Sequence, residues 1–440
     1  MIAQKLEEGT LTKDQFDADT PFYVRHRKMV GFLIPLVIIW TCYFSYMAAT
    51  NKWHIFSGTT GANNSPRWLI TVTMCFGAMV AGATSEGGAA IAFPVLTLTL
   101  GVPPPQARDF SFLIQSVGMT AASFSIWFMK VKCEWKSILY CTIGGFAGCI
   151  FGLEEVAPRL EPAYSKMYFV CIWFSFAISL YWMNYFRGDK VHDNITNWDD
   201  AVIATVDLDK LSPGLKATVN WKAIVLLMGG FLGGIFSAMS GSGLDICSFA
   251  LLTLLFRVDE RVATPTSVVL MAINTLIAFF YRLWGQGNIN PEVYNMWLVA
   301  VPVVCVFAPI GSIMSSHFHR ALLAGLIYVV DIVQFIGALV IVKPWLSKAE
   351  GGKTTTPEKL CWSSGLILTC GIIFFTVIAF SGKYLETYQN DLAQKEWDAK
   401  TKSMKGAGSD VQSSSLSSAG GSNYSVTGTS EDQLEMTNKV

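Results

Sequence analysis

The sequence predicts an all-α polytopic integral membrane protein, built of inverted repeats with broken or re-entrant helix pairs. Three observations carry that prediction. Of the 440 residues only 15% are charged and 52% are hydrophobic, with a mean hydropathy of +0.42, whereas an average soluble domain carries roughly 25% charged residues. Eight apolar runs have the length of about 17–25 residues needed to cross a hydrocarbon core. Four further apolar segments form two close pairs, each interrupted by Ser and Gly and each with a short second member. The hydrophobic content excludes disorder over the whole chain, and a formal net charge of zero leaves no electrostatic footprint for nucleic acid.

The elements follow in chain order. Residues 1–29 form a polar N-terminal segment expected in the cytoplasm. The first span, Met29–Thr50, starts at the boundary of the next segment, residues 30–67, which holds it and its outer loop. It begins too far along the chain and is too long for the h-region of a cleaved signal. The first repeat, residues 68–186, opens with the broken pair Trp68–Thr84 and Ala89–Leu100, then the spans Phe110–Met129, Ser137–Leu153 and Met167–Tyr185. A polar linker, residues 187–220, leads to the second repeat, residues 221–343. Its broken pair is Trp221–Met239 and Leu244–Phe256, and its spans are Ala263–Tyr281, Trp297–Met314 and Ala321–Val342. Residues 344–381 hold a loop and the last span, Cys361–Phe380. Residues 382–440 form a tail with a serine-rich, low-complexity run, expected to be disordered and cytoplasmic. None of the polar segments is large enough for a core of its own.

Sliding the chain along itself by about 156 positions superimposes the two broken pairs without a gap, the weak internal symmetry typical of transporters. Gly77 falls on Gly233, Gly87 on Gly243, Phe93 on Phe249, Leu96-Thr97-Leu98 on Leu252-Thr253-Leu254, and Ser111 on Ser267. Each repeat crosses the membrane five times if its broken pair spans, or three times if the pair is re-entrant. Both numbers are odd, so the second repeat enters from the opposite side. Arg25, Arg27, Lys28, Lys130, Lys132, Lys136, Arg257, Arg261 and Arg320 then gather on one face, which the positive-inside rule makes cytoplasmic, together with both termini. The protein is expected in the plasma membrane or an internal membrane, multi-pass in the lipid bilayer. Asn63-Asn64-Ser65 is a sequon on the outer side.

The chemistry is expected at the two breaks, Ser85-Glu86-Gly87-Gly88 and Ser240-Gly241-Ser242-Gly243. A helix that starts within the membrane aims free N–H groups and the positive end of its dipole at the midplane, where they attract anions. Ser85, Gly87, Gly88, Ser240, Gly241, Ser242 and Gly243 are therefore substrate-binding candidates, with the glycines allowing close backbone approach. Charges inside spans are costly and mark function; Glu86, Asp245 and Asp331 are the deep acids and candidates for coupling to a proton co-substrate. No deep Lys or Arg is expected, with Arg108 and Arg261 placed in loops and Arg282 at a span end. Gln115, Asn274 and Thr275 either line the same cavity or act as interhelical hydrogen-bond glue. Gly144, Gly148 and Gly152, like Gly229, Gly230, Gly233 and Gly234, have the spacing of close helix contacts.

An enzyme is not expected. Ser242 lies between glycines, but a nucleophilic Ser needs a base, and the five histidines fall in loops or at span edges. The ten Cys show no C-x-x-C spacing. No cofactor and no metal site are expected.

At the two breaks the sequence resembles the sulfite exporter TauE/SafE family of membrane permeases. The resemblance rests on the Gly-rich break followed by Ala89-Ala90-Ile91-Ala92-Phe93-Pro94, then Ala107-Arg108-Asp109-Phe110-Ser111, and in the second repeat on Gly241-Ser242-Gly243-Leu244-Asp245 and Ala263-Thr264-Pro265-Thr266-Ser267. It covers most of residues 68–381. It implies a permease for small sulfur-containing anions such as sulfite, sulfonates or related organosulfur acids, and adds Ser111, Thr266 and Ser267 to the substrate-binding candidates. The sequence departs from the pattern at Glu86, at Leu244-Asp245 and at Ala250. An acid beside the site opposes an anion unless it is protonated. A cation carrier or channel using the intramembrane acids, and a membrane sensor or scaffold signalling through the Ser-rich tail, are the alternative readings. The sequence sets no oligomeric state.

Overall fold

The computed structural model describes residues 22–84, 86–185, 192–198, 201–207, 216–315, 320–346, 348–350 and 353–416. It consists of α1 (Arg27–Thr50), α2 (Trp68–Ala83), α3 (Ala89–Pro94), α4 (Pro104–Phe128), α5 (Trp135–Phe151), α6 (Pro162–Tyr185), α7 (Trp221–Ser240), α8 (Leu244–Ala250), α9 (Glu260–Phe280), α10 (Pro291–Ser315), α11 (Arg320–Val342) and α12 (Pro357–Leu416), with three small antiparallel hairpins in the connections. Nine helices among the described residues are long and apolar enough to cross a membrane. The chain forms two units, Met1–Gly382 and Lys383–Val440. In the second unit α12 continues to Leu416, where the sequence suggests a disordered tail; the run Leu392-Ala393-Gln394-Lys395-Glu396 consists of strong helix formers. Residues 417–440, with Ser417 and Ser418 of the serine-rich run, lie outside the described residues.

Both broken pairs are re-entrant. The end of the first pair returns to the loop that precedes it: Asn63 Nδ2 donates to Thr99 O at 2.8 Å and Ala62 N to Gly101 O at 3.1 Å. The end of the second returns to the segment beside the start of α7. Trp221 and Phe256 have ring centroids 6.2 Å apart, His192 N donates to Arg257 O, and Asn220 Nδ2 donates to Trp198 O. Length is the physical reason, because the second arm of each pair has about 12 helical residues, roughly 18 Å, against a core of about 30 Å. Although α7 alone is long enough to cross, it is one arm of such a hairpin. Each repeat therefore crosses three times, and the hairpins enter from opposite faces. The first face carries residues 129–134, 192–198 and 257–259; the second carries residues 59–67, 99–104 and 282–292.

The repeat is visible in backbone detail. The second arms turn π-helical at Val95–Thr99 and at Leu251–Leu255. In both, the Thr hydroxyl donates four residues back at 2.7 Å, Thr97 to Phe93 O and Thr253 to Phe249 O. Pro94 alone is not the cause, since Ala250 holds the same place in the second repeat; Leu-Thr-Leu is common to both. Helix packing repeats as well. α5 lies on α7 through glycines: a Cβ at Gly144 or Gly148 would stand 2.0 Å from the carbonyl oxygen of Leu227 or Phe231. The related pair α2 and α10 meets at Gly82, whose Cβ would stand 2.0 Å from Ala308 O, and at Gly311, 2.1 Å from Met79 O. Small residues allow such contact where lipid offers no competing hydrophobic drive.

Candidate functional site

The two breaks touch each other at repeat-related residues. Ser242 Oγ donates to Glu86 O at 3.3 Å, and the two positions differ by the repeat shift of 156. Gly87 has φ +72° and Gly243 φ +154°, left-handed backbone that an L side chain rarely adopts. Space is also closed: a Cβ at Gly87 would lie 2.7 Å from Asp245 Oδ2 and 2.8 Å from Ser242 Oγ. Each break is covered by a helix of the other repeat. Gln115 of α4 donates to Gly241 O at 2.9 Å, and Met271 of α9, its repeat equivalent, lies against Gly87.

The three deep acids are not equivalent. Asp245 sits in the first turn of α8 and accepts from Ser242 Oγ at 2.6 Å and from Gly243 N at 2.7 Å. It caps the N-terminus on which an anion was expected to rest. α3 has no acid in its first turn. Glu86 is fully buried and its carboxyl faces that of Asp331, 1% exposed, at hydrogen-bonding range. None of these four oxygens receives a donor from the described residues. Gln334, one turn along α11 from Asp331, is buried and also lacks a partner among them.

A cavity of about 340 Å³ reaches Thr84, the residue before the first break. Its walls include Gly82–Thr84 at the end of α2, Thr264 and Pro265 of α9, and Ser312 of α10, and its mouth holds Lys132, Asp193, Asp259 and Arg261 of the first face. Thr84, at its inner end, accepts weakly from Glu86 N at 3.4 Å. Lys132 pairs with Asp193 at 2.7 Å, and this hydrogen bond and charge hold the exposed Asp193 carboxyl below its usual range. A void of about 10 Å³ lies at the second break beside Gly241, Ser242, Asp245, Asn274 and Thr275, room for about one water.

Of the remaining predicted residues, Ser111 packs against Gly241 while its hydroxyl donates to Ala107 O, and Gly88 lies near Gln115. Ser240 Oγ donates to Ser242 O at 2.8 Å. Ser267 Oγ is fully buried and donates to Thr264 O. Thr266 serves the first face, where its hydroxyl accepts from Glu134 N at 2.9 Å. Ser85 lies outside the described residues.

The placement of Arg108 and Arg261 in loops is corrected, with Arg261 standing in the first turn of α9. Arg108 lies within α4, not in a loop, and Arg108 and Arg282 are buried around Asp109. Asp109 Oδ1 accepts from Arg108 Nε, Arg108 Nη2 and Arg282 Nε at 3.0, 2.8 and 3.0 Å, and Oδ2 from Arg282 Nη2 at 2.6 Å. Arg282 also donates to Gln286 and Asn288, and Arg108 Nη1 reaches Ala238 O at 3.5 Å. Hydropathy trims charged residues from helix ends, but Pro103-Pro104-Pro105 signals a helix start at Pro104, which places Arg108 a full turn inside.

The family model described as Sulfite exporter TauE/SafE matches residues 69–339. No curated protein and no solved structure matches the chain.

Proposed function

The chain belongs to the sulfite exporter TauE/SafE family of membrane transporters, and from that premise we propose that it moves small sulfur-containing oxyanions by alternating access around the two touching breaks, with protons carried by Glu86 and Asp331. The observation that carries this reading is the cavity that runs from the first face to Thr84, while Arg108, Asp109 and Arg282 fill the second face beside the second break. That arrangement suits a carrier resting open to one side. The positive-inside rule makes the first face cytoplasmic, so the resting state is inward-open.

Proton coupling rests on geometry. Two facing carboxyl groups to which no described residue donates bind each other through a shared proton, since like charges at about 4 Å repel by roughly 4 kcal/mol at an effective dielectric of 20. Asp245, the third acid here, is already held by Ser242 and Gly243. A proton on the pair removes the charge that would repel an entering anion. Glu86→Gln is therefore expected to flatten the pH dependence of sulfite flux in proteoliposomes; an unchanged profile removes the coupling role. The same facing carboxyls favour a second reading, a monovalent-cation carrier. Uptake of labelled sulfite against a labelled monovalent cation separates the two by sign.

A further inference from the structure

The repeat shift carries the lining of the open cavity onto the opposite face. Thr264, Pro265 and Ile126 line the cavity; their repeat equivalents are Arg108, Asp109 and Arg282. Gly82, also in its wall, corresponds to Ala238, whose carbonyl faces Arg108. Lys132 at its mouth corresponds to Asn288, which accepts from Arg282 Nη1 at 2.6 Å. Positions that enclose an open chamber on the first face thus belong to one closed hydrogen-bond network on the second. In an inverted repeat the two states of alternating access exchange these environments.

We propose that Arg108 and Arg282 form the oxyanion-binding site of a second-face chamber, a small oxyanion taking the place of the Asp109 carboxylate between the two guanidiniums when that chamber opens. The proposal rests on the permease reading above and names the residues that serve it. Asp109 shows what the site accepts: its two oxygens receive four guanidinium N–H donors, two of them in a fork from Arg282. That planar fork matches two oxygens of any small oxyanion. The cluster of two guanidiniums and one carboxylate has an excess positive charge; Glu154, further out and exposed, joins it through Gln286. Both arginines are under 10% exposed, so moving Asp109 away without replacement leaves buried unpaired cations, which is strongly unfavourable. An incoming anion restores the pairing, and so favours opening only when substrate is present.

The walls of the first-face cavity show no counterpart among the described residues. Thr264, Pro265 and Ile126 are uncharged, and at the mouth Lys132 and Arg261 are offset by Asp193, Asp259 and Glu260. The two faces should therefore differ in affinity.

The test uses the full chain in proteoliposomes of known orientation, with initial rates of labelled sulfite flux measured from each face. Loss of a bidentate charge-assisted contact in Arg282→Gln is expected to raise KM at the second face about tenfold or more, with the first-face KM within about twofold of wild type. Arg282→Lys keeps the charge but not the fork; it should fold if Arg282→Gln does not, and should raise the second-face KM by an intermediate factor. Flux with KM unchanged, or changed alike at both faces, overturns the site and leaves the permease reading standing. Wild-type chain that carries no sulfite from either face overturns the permease substrate reading itself.

Discussion

Ser242→Ala separates a hydroxyl that holds the break together from one that holds substrate. Ser242 Oγ donates to Asp245 Oδ2 at 2.6 Å and reaches Glu86 O at 3.3 Å, and both side chains are at most 2% exposed. Removing the hydroxyl takes a donor from a carboxyl beside a void of about 10 Å³, which has room for about one replacement water. A buried hydrogen bond of this kind contributes about 1.5–3 kcal/mol, and the longer contact to Glu86 O adds about 0.5 kcal/mol at most. The expected loss is about 2–3 kcal/mol. Asp245→Asn should cost less, about 1 kcal/mol, because the amide still accepts from Gly243 N and the Ser hydroxyl turns to accept from the new NH2. The double mutant should then show a coupling of about 1–2 kcal/mol. Reversible unfolding in mixed micelles measures all three, with sulfite affinity measured in parallel. If Ser242→Ala lies within about 0.5 kcal/mol of wild type while sulfite binding weakens about tenfold, the hydroxyl is a ligand and the capping reasoning is wrong.

Three further outcomes follow from the packing and the first face. Gly148→Ala places a Cβ 2.0 Å from Phe231 O, and overpacking of about 1–3 kcal/mol exceeds the roughly 1 kcal/mol gained in helix propensity; a lower unfolding midpoint is expected. Gly325→Ala in α11 meets nothing within 4 Å among the described residues and should be neutral or stabilising by up to about 1 kcal/mol; if both variants melt alike, the α5–α7 contact is not limiting. The Lys132–Asp193 pair depresses the Asp193 carboxyl, so its contribution is present above the unfolded carboxyl value and is lost as pH falls through the depressed one. Hydrogen exchange at residues 192–198, corrected for intrinsic rates, should rise on acidification through that window in the wild type and not in Lys132→Gln.

The breaks were legible because they break rules locally. Gly and Ser in the middle of apolar runs, at matching positions in two repeats, interrupt helices that the hydrophobic setting would otherwise continue. The glycine seam between α5 and α7 was legible from its fourfold spacing alone. Re-entry was not decided by the sequence, although the short second arms Ala89–Leu100 and Leu244–Phe256 carried the length signal. What sequence order hides is pairing across the repeats. Nothing local shows that Glu86 meets Asp331, that Gln115 covers Gly241, or that Asp109 joins Arg108 to Arg282, because each contact depends on how the two repeats interlock. Arg108 was misplaced for a separate reason: a hydropathy window sees a charged residue next to a run as a loop, while the helix start is set by proline.

The two breaks look alike in sequence but differ in what they can hold. At the second, Asp245 supplies from within the chain the negative charge that the start of α8 attracts. An anion there would have to displace a covalently tethered competitor. At the first, the start of α3 has no such acid, but Glu86 and Asp331 stand beside it. In the proposed cycle an anion resting there needs a proton on that pair, so substrate and proton would arrive together. The charge that draws the anion in must then come from elsewhere, and on the second face Arg108 and Arg282 are buried around Asp109. Asymmetry between the repeats, more than their likeness, is therefore what the proposed transport cycle would use: a guanidinium fork around Asp109 on one side, facing carboxyls at the first break, and a mixed-charge cavity mouth on the other.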